Sequence, residues 1–230
     1  MANQGLKEQY ETFSDEFLLP LVEIYDPLPA IYIVPGNHDV DRKKCTLTAR
    51  FLYDIPKDQS HEKFFDTDEE GFEERRQIFE RFEAFRVRFE ADLGFSAQDI
   101  FEKKGCFTDV KDIGGTKLGI IGLNTAWLSN SDGDEQRLMT GKWALEEALE
   151  AMENCSFKLV LGHHPMNWLA PEERREIGTL LARHKAIYLH GHMHINSGEL
   201  MAAVEKGFLS LQSGAAFQTR GDIYYNSLYW

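Results

Sequence analysis

The runs KLGIIGLN (Lys117–Asn124), FKLVLG (Phe157–Gly162), AIYLHG (Ala186–Gly191) and FLSLQSG (Phe208–Gly214) are short, continuous and apolar, and helical patterns separate the first three. Runs of this length without polar alternation read as strands buried on both faces. The segments GKWALEEALEAM and PEERREIGTLLARH between them carry apolar residues at helical spacing. The pattern predicts an α/β fold in which a mixed, mostly parallel sheet is covered by helices. A further strand is predicted at AIYIV, residues 30–34, fed by a helix from Glu8 to Tyr25 that the DPLP turn ends.

Three glycine-led turns follow predicted strands and carry histidine: GNHD at Gly36–Asp39, GHHP at Gly162–Pro165 and GHMH at Gly191–His194. Five of the eight histidines fall in these turns. One turn histidine is as readily satisfied by a backbone hydrogen bond as by a metal. Three such turns, all beyond the carboxyl ends of strands where open α/β sheets bind ligands, point to a shared site. Neutral imidazole suits zinc, iron, manganese or nickel, and the amide oxygen of Asn37 is a neutral donor that tolerates the same ions.

Elsewhere the expectations are structural. Phe72, Phe79, Phe82, Phe85, Phe89 and Leu93 recur at helical steps in a long amphipathic helix, which is core packing rather than a ligand cradle. Residues of about 43–72 have weak periodicity and read as an insertion with little regular structure; with the helix, the insertion extends to about 105. Asn124 reads as a turn former at a strand end. Trp168 either lines a base pocket or packs its own loop.

GNHD, GHHP and GHMH, in this order, resemble the motifs of the calcineurin-like metallophosphoesterases, and VPGNHDVDR and HHPMNWL are similar to the bacterial branch that includes cyclic-nucleotide phosphodiesterases. The resemblance spans nearly the whole chain, residues 1–230, as one partial domain. It implies a four-layer sandwich of two mixed sheets flanked by helices. It implies that Asn37, His163 and His192 ligate one divalent ion and His194 the other, with two ions in the complete family site. By the same resemblance His38 faces the scissile phosphate as electrophile and acid for the leaving oxygen, and Asp39 stands behind it. The implied reaction is hydrolysis of a phosphomonoester or phosphodiester by a metal-activated hydroxide between ions about 3.5–4 Å apart.

The family pattern begins with Asp-x-His and Gly-Asp, and neither precedes GNHD here. The chain is therefore expected to be truncated at its amino end, without the bridging carboxylate, and DIYYNSLYW reads as a strand cut at the carboxyl end. Two alternatives follow from other classes: a catalytically impaired scaffold that keeps the fold for protein binding, and a DNA-processing nuclease of the same superfamily.

Composition narrows the partners. The net charge is −13 and the pI near 5.1, a field that repels phosphate backbones and anionic membrane surfaces and disfavours the nuclease. Bound cations invert that field locally, so a small phosphorylated substrate, cyclic nucleotides included, remains compatible. Cys45, Cys106 and Cys155 form no Cys-x-x-Cys pair, which argues for a reducing compartment. With no basic and apolar leader and no long apolar run, the expected location is cytoplasmic, and fused domains are compatible with the full-length protein.

Overall fold

A computed structural model describes residues 5–26, 30–47, 49–50, 77–93, 106–131, 133–194, 197–202 and 207–214. Its centre is a mixed sheet of six strands: β1 (Cys106–Ile113), β2 (Thr116–Leu123), β3 (Phe157–Leu161), β4 (Ile187–His190), β5 (Ser197–Ala202) and β6 (Gly207–Gln212). Their spatial order is β1-β2-β3-β4-β6-β5. The inner pairs β2/β3, β3/β4 and β4/β6 are parallel, whereas the outer pairs β1/β2 and β5/β6 are antiparallel. The fold is α/β, as the alternation predicts.

The β1/β2 hairpin closes on Gly114 and Gly115, both at positive φ (61° and 84°), with Asp112 Oδ1 accepting the Gly115 N–H at 2.8 Å. Two consecutive left-handed residues make the turn that matches strand twist. Helices α4 (Lys142–Ala151) and α5 (Pro171–Arg183) pack against each other on the sheet. Side chains of β2 alternate between faces: Ile121 and Leu123 join the main core with Leu145, Leu149, Leu181 and Val160, while Ile120 joins Phe107 on the other side. Each face is thus buried, which explains the unbroken apolar runs.

The strand expected at residues 30–34 is not observed: these residues carry no assigned secondary structure and are not among the six strands. Their side chains alternate all the same. Tyr32 and Val34 pack on Phe107 and Ile120 of the sheet, and Ile31 and Ile33 on Tyr10, Leu18 and Phe85 of a helical layer. That layer comprises α1 (Lys7–Phe13), α2 (Leu19–Glu23) and α3 (Glu83–Leu93). Between α1 and α2 the helix widens into a π turn over Ser14–Leu18. Pro20 lacks an amide proton and its ring would clash with the carbonyl four residues back, and a π turn relieves that clash without ending the helix.

The phenylalanine helix begins later than its periodicity suggests. Gln77–Phe82 is a 3-10 segment leading into α3, and residues 71–76 lie outside the described region. Phe79, Phe82 and Phe85 are buried, so the stripe is core here, while the side chains of Phe72, Phe89 and Leu93 and most of the 43–105 insertion fall outside the description. No described helix is long and apolar enough to cross a membrane.

Candidate metal centre

The GNHD turn is a single 3-10 turn, Asn37–Asp39, closed on itself. Asp39 N donates to Gly36 O at 3.0 Å, and Asp39 Oδ2 accepts the Gly36 N–H at 2.7 Å. Its other oxygen accepts the Tyr10 hydroxyl at 2.7 Å. From the same amino-terminal segment, Gly5 N donates to His38 O at 2.8 Å. Gly5 has φ +63°, and a Cβ there would lie 2.6 Å from Asp39 O, so both the conformation and the space require glycine. Burial raises the Asp39 pKa, against the Gly36 and Tyr10 hydrogen bonds and the His38 charge. Asp39 therefore organises the turn, while Asn37 is left half-buried and His38 exposed.

The GHHP turn follows β3. Both of its histidine amides donate to Thr125 Oγ1, at 3.2 Å from His163 N and 3.1 Å from His164 N. Thr125 Oγ1 also lies 3.0 Å from His164 Nδ1. The Tyr188 hydroxyl donates to His164 O at 2.7 Å, and a Cβ on Gly162 would meet that hydroxyl at 2.2 Å. Gly162 is the space through which Tyr188 reaches the turn.

The GHMH turn follows β4 and holds two non-glycine residues in the left-handed region, His192 at φ 71° and His194 at φ 58°. Such conformations cost of order 1–3 kcal/mol each and concentrate at functional sites. Here the strained backbone brings His192 Nδ1 to 3.1 Å from His163 Nε2, which is also 3.0 Å from Asn37 Oδ1. Residues 126 and 29 positions from His163 along the chain thus meet at one nitrogen.

That nitrogen carries either a proton or a lone pair, so it serves only one of its two neighbours at a time. A cation would serve all three. Donor atoms on arms of about 2.1 Å stand about 3.0 Å apart at right angles and about 3.4 Å apart at tetrahedral angles, and the two spacings at His163 Nε2, 3.0 and 3.1 Å, lie at the short end of that range. The donor set of two imidazoles and one amide oxygen fits a borderline divalent ion. Gly36 is part of the fit, because a Cβ there would lie 2.7 Å from Cε1 and Nδ1 of His163.

Electrostatics keeps the rings neutral. Burial first, then His192 and the other neighbouring histidines, push the His163 pKa down to about 3. Burial, then His194 and His38, take His192 to about 4, and burial with His163 and His192 holds His164 well below its usual range. Neutral imidazole is the form that ligates. His164 belongs to the same group, its donor nitrogen lying with those of His163 and His192 inside 4.8 Å of one another. Among the described residues no carboxylate joins that group.

Of the residues read from sequence, Asn37, His163 and His192 converge. His38 and His194 are exposed and close enough for their charges to depress the His163 and His192 pKa values. Trp168 packs on the core and against the cluster, its ring stacked on His164 (centroids 5.6 Å, 25°) and edge-on to His192 (4.1 Å, 73°). Asn124 forms its turn, accepting the Ala126 N–H at 3.0 Å. The roles of Thr125, Tyr10, Gly5 and Tyr188 at the site were not read from the sequence. The NT dipeptide immediately after β2 is the one signal for Thr125.

The profile of the calcineurin-like phosphoesterases matches residues 4–196, an interval containing all three turns. The chain belongs to this family. Its members are metal-dependent enzymes that act on phosphoesters, and the histidine cluster lies where the three matched turns meet. An uncharacterized metallophosphoesterase-like protein of Bacillus subtilis (strain 168), YydB, is 29% identical over 200 residues, covering 80% of this chain. The chain spans 38% of the length of that relative.

Proposed function

We propose that the chain hydrolyses a phosphomonoester or phosphodiester at a divalent-metal centre held by Asn37, His163 and His192. The observation that carries this reading is the meeting of Asn37 Oδ1 and His192 Nδ1 at His163 Nε2, within 3.0 and 3.1 Å. A divalent ion bound there supplies Lewis-acid polarisation of a phosphoryl oxygen and a lowered pKa for bound water. The three donors are neutral, so they leave the positive charge of the site uncompensated and attractive to an anionic phosphate. This matters in a chain of net charge −13, whose overall field repels the substrate.

The exposed His38 stands beside the cluster at the surface and offers a proton to the leaving oxygen. His194, exposed next to His192, is the proposed donor for a second ion. The substrate class is a small phosphorylated molecule, cyclic nucleotides among the candidates, handled inside a cell.

The test combines elemental analysis with turnover of bis(p-nitrophenyl) phosphate in zinc or manganese. The expected result is at least one ion per chain, turnover abolished by a chelator, and loss of both ion and turnover in His163→Ala. Ion binding that survives His163→Ala and His192→Ala together would end the proposal. Binding without turnover would favour the scaffold reading, for which the lack of a carboxylate in the described cluster speaks.

A further inference from the structure

The GHHP turn offers two adjacent histidines, and both rings lie in the cluster. Chain geometry alone does not say which of them ligates. We infer that Thr125 makes the distinction, as a positioning residue whose hydroxyl fixes the tautomer of His164 and thereby leaves His163 as the ligand of the pair. This rests on the metal-centre reading above.

The inference follows from counting hydrogens. A threonine hydroxyl has one proton and two lone pairs. Both lone pairs of Thr125 Oγ1 are taken by the His163 and His164 amide protons, at 3.2 and 3.1 Å. What remains is the hydroxyl proton, and His164 Nδ1 at 3.0 Å is its acceptor. Nδ1 then holds a lone pair toward Thr125, and the ring, kept neutral, carries its proton on Nε2. For Nε2 to ligate a metal, that proton would have to move to Nδ1. Nδ1 would then confront an oxygen with no lone pair left to accept it.

Three further observations agree. Thr125 and His164 are each 0% exposed, so water does not take over either partnership. His164 Nε2 is buried and has no hydrogen-bond partner among the described residues, so no described neighbour competes with Thr125 in setting the tautomer. The Tyr188 hydroxyl on His164 O and the Trp168 ring stacked over the imidazole hold the residue from two other sides. His163 has no such constraint on its ring: Nε2 faces Asn37 and His192, and Nδ1 lies against Gly36. One hydroxyl thus ties down both backbone amides of the turn and assigns different jobs to two neighbouring identical side chains.

Nitrogen-15 NMR of the imidazoles tests this directly, first in metal-free protein at neutral pH and then during addition of zinc. His164 is expected as the Nε2–H tautomer in both states, while the Nε2 resonance of His163 and the Nδ1 resonance of His192 shift on zinc addition. Thr125→Val removes the hydroxyl but keeps the shape. It should move His164 out of the pure Nε2–H form and weaken zinc binding about 10- to 100-fold, the usual cost of losing a group that orients a ligand. Thr125→Ser should restore both. A Nδ1–H tautomer in the metal-free wild type, a His164 Nε2 that loses its proton to zinc, or a Ser variant no better than Val would overturn the inference. If the tautomers behave as stated but zinc shifts no histidine, the Thr125 assignment stands and the metal-centre reading falls.

Discussion

Tyr10 and Asp39 are 29 residues apart in sequence and 2.7 Å apart in space, the phenol donating to Asp39 Oδ1 beside the residues that face the cluster. The other oxygen of that carboxylate closes the GNHD turn on the Gly36 amide. One partly buried carboxylate therefore joins helix α1 to the segment that presents Asn37. Burial and the Asp39 charge raise the Tyr10 pKa, so the phenol keeps the proton it donates.

Tyr10→Phe should accordingly cost stability and loosen the turn. Removing a hydrogen bond to a charged acceptor is worth about 1.5–3 kcal/mol. Urea unfolding of the metal-free variant should show that loss, with a weaker zinc affinity than wild type. A stability within about 0.5 kcal/mol of wild type, the range of surface substitutions, would show that Asp39 finds another donor.

Gly36→Ala addresses space rather than backbone conformation, since Gly36 has φ −109°. The added Cβ would fall 2.7 Å from two atoms of the His163 ring, far inside van der Waals contact. The ring must turn away, taking Nε2 off Asn37 and His192. Zinc affinity measured calorimetrically should fall at least tenfold while the far-ultraviolet circular dichroism is unchanged. Wild-type affinity would mean that the three donors do not define the centre.

How far the sequence carried is instructive at particular residues. Strands β2, β3, β4 and β6 and helices α4 and α5 were legible because each buries a continuous or periodic apolar set, a property of the segment itself. Edge strands β1 and β5 were not, for CFTDVKDI and SGELMA mix charged and apolar residues as exposed edges do. Residues 30–34 show the opposite case. Their apolar run was readable, but membership of a ladder depends on a neighbour that a segment's own pattern does not reveal. At the site, glycine and histidine marked the three turns, and their convergence gives those marks a meaning. Thr125 and Tyr10 were invisible because an ordinary threonine and an ordinary tyrosine acquire their roles only through contacts 38 and 29 residues away.

Glu173 is a structural counterpart to the site, buried on α5 with Oε1 accepting the Thr140 amide at 2.7 Å, the Thr140 hydroxyl at 2.7 Å and the Gly141 amide at 2.9 Å. It pins the loop that enters α4, where Gly141 has φ 80°. Glu173→Ala leaves three donors without their acceptor and should destabilise by about 3 kcal/mol or more. Glu173→Gln keeps the acceptor oxygen and should lose less than half as much by urea denaturation. Equal losses would show that packing, not hydrogen bonding, is what Glu173 contributes.

Acid should destabilise the metal-free protein, and the histidine cluster gives the sign. His163 and His192 have folded pKa values pushed down to about 3 and 4, against about 6.5 in an unfolded chain. Above pH 6.5 both states hold the rings neutral and the cluster contributes no pH dependence. Between 6.5 and 4 the unfolded chain takes up protons that the folded one refuses. Stability therefore rises with pH across that window and is lost as pH falls through it. Asp39, with its pKa raised by burial, acts in the opposite sense, but equally in any variant that leaves it in place. The comparison that isolates the cluster is wild type against His163→Gln, whose amide does not titrate. Thermal melts from pH 7.5 to 4.5 should fall more steeply for wild type than for the variant. Parallel slopes would mean that His163 takes up its proton as readily in the folded protein as in the unfolded chain, and that the folded cluster does not hold that ring neutral.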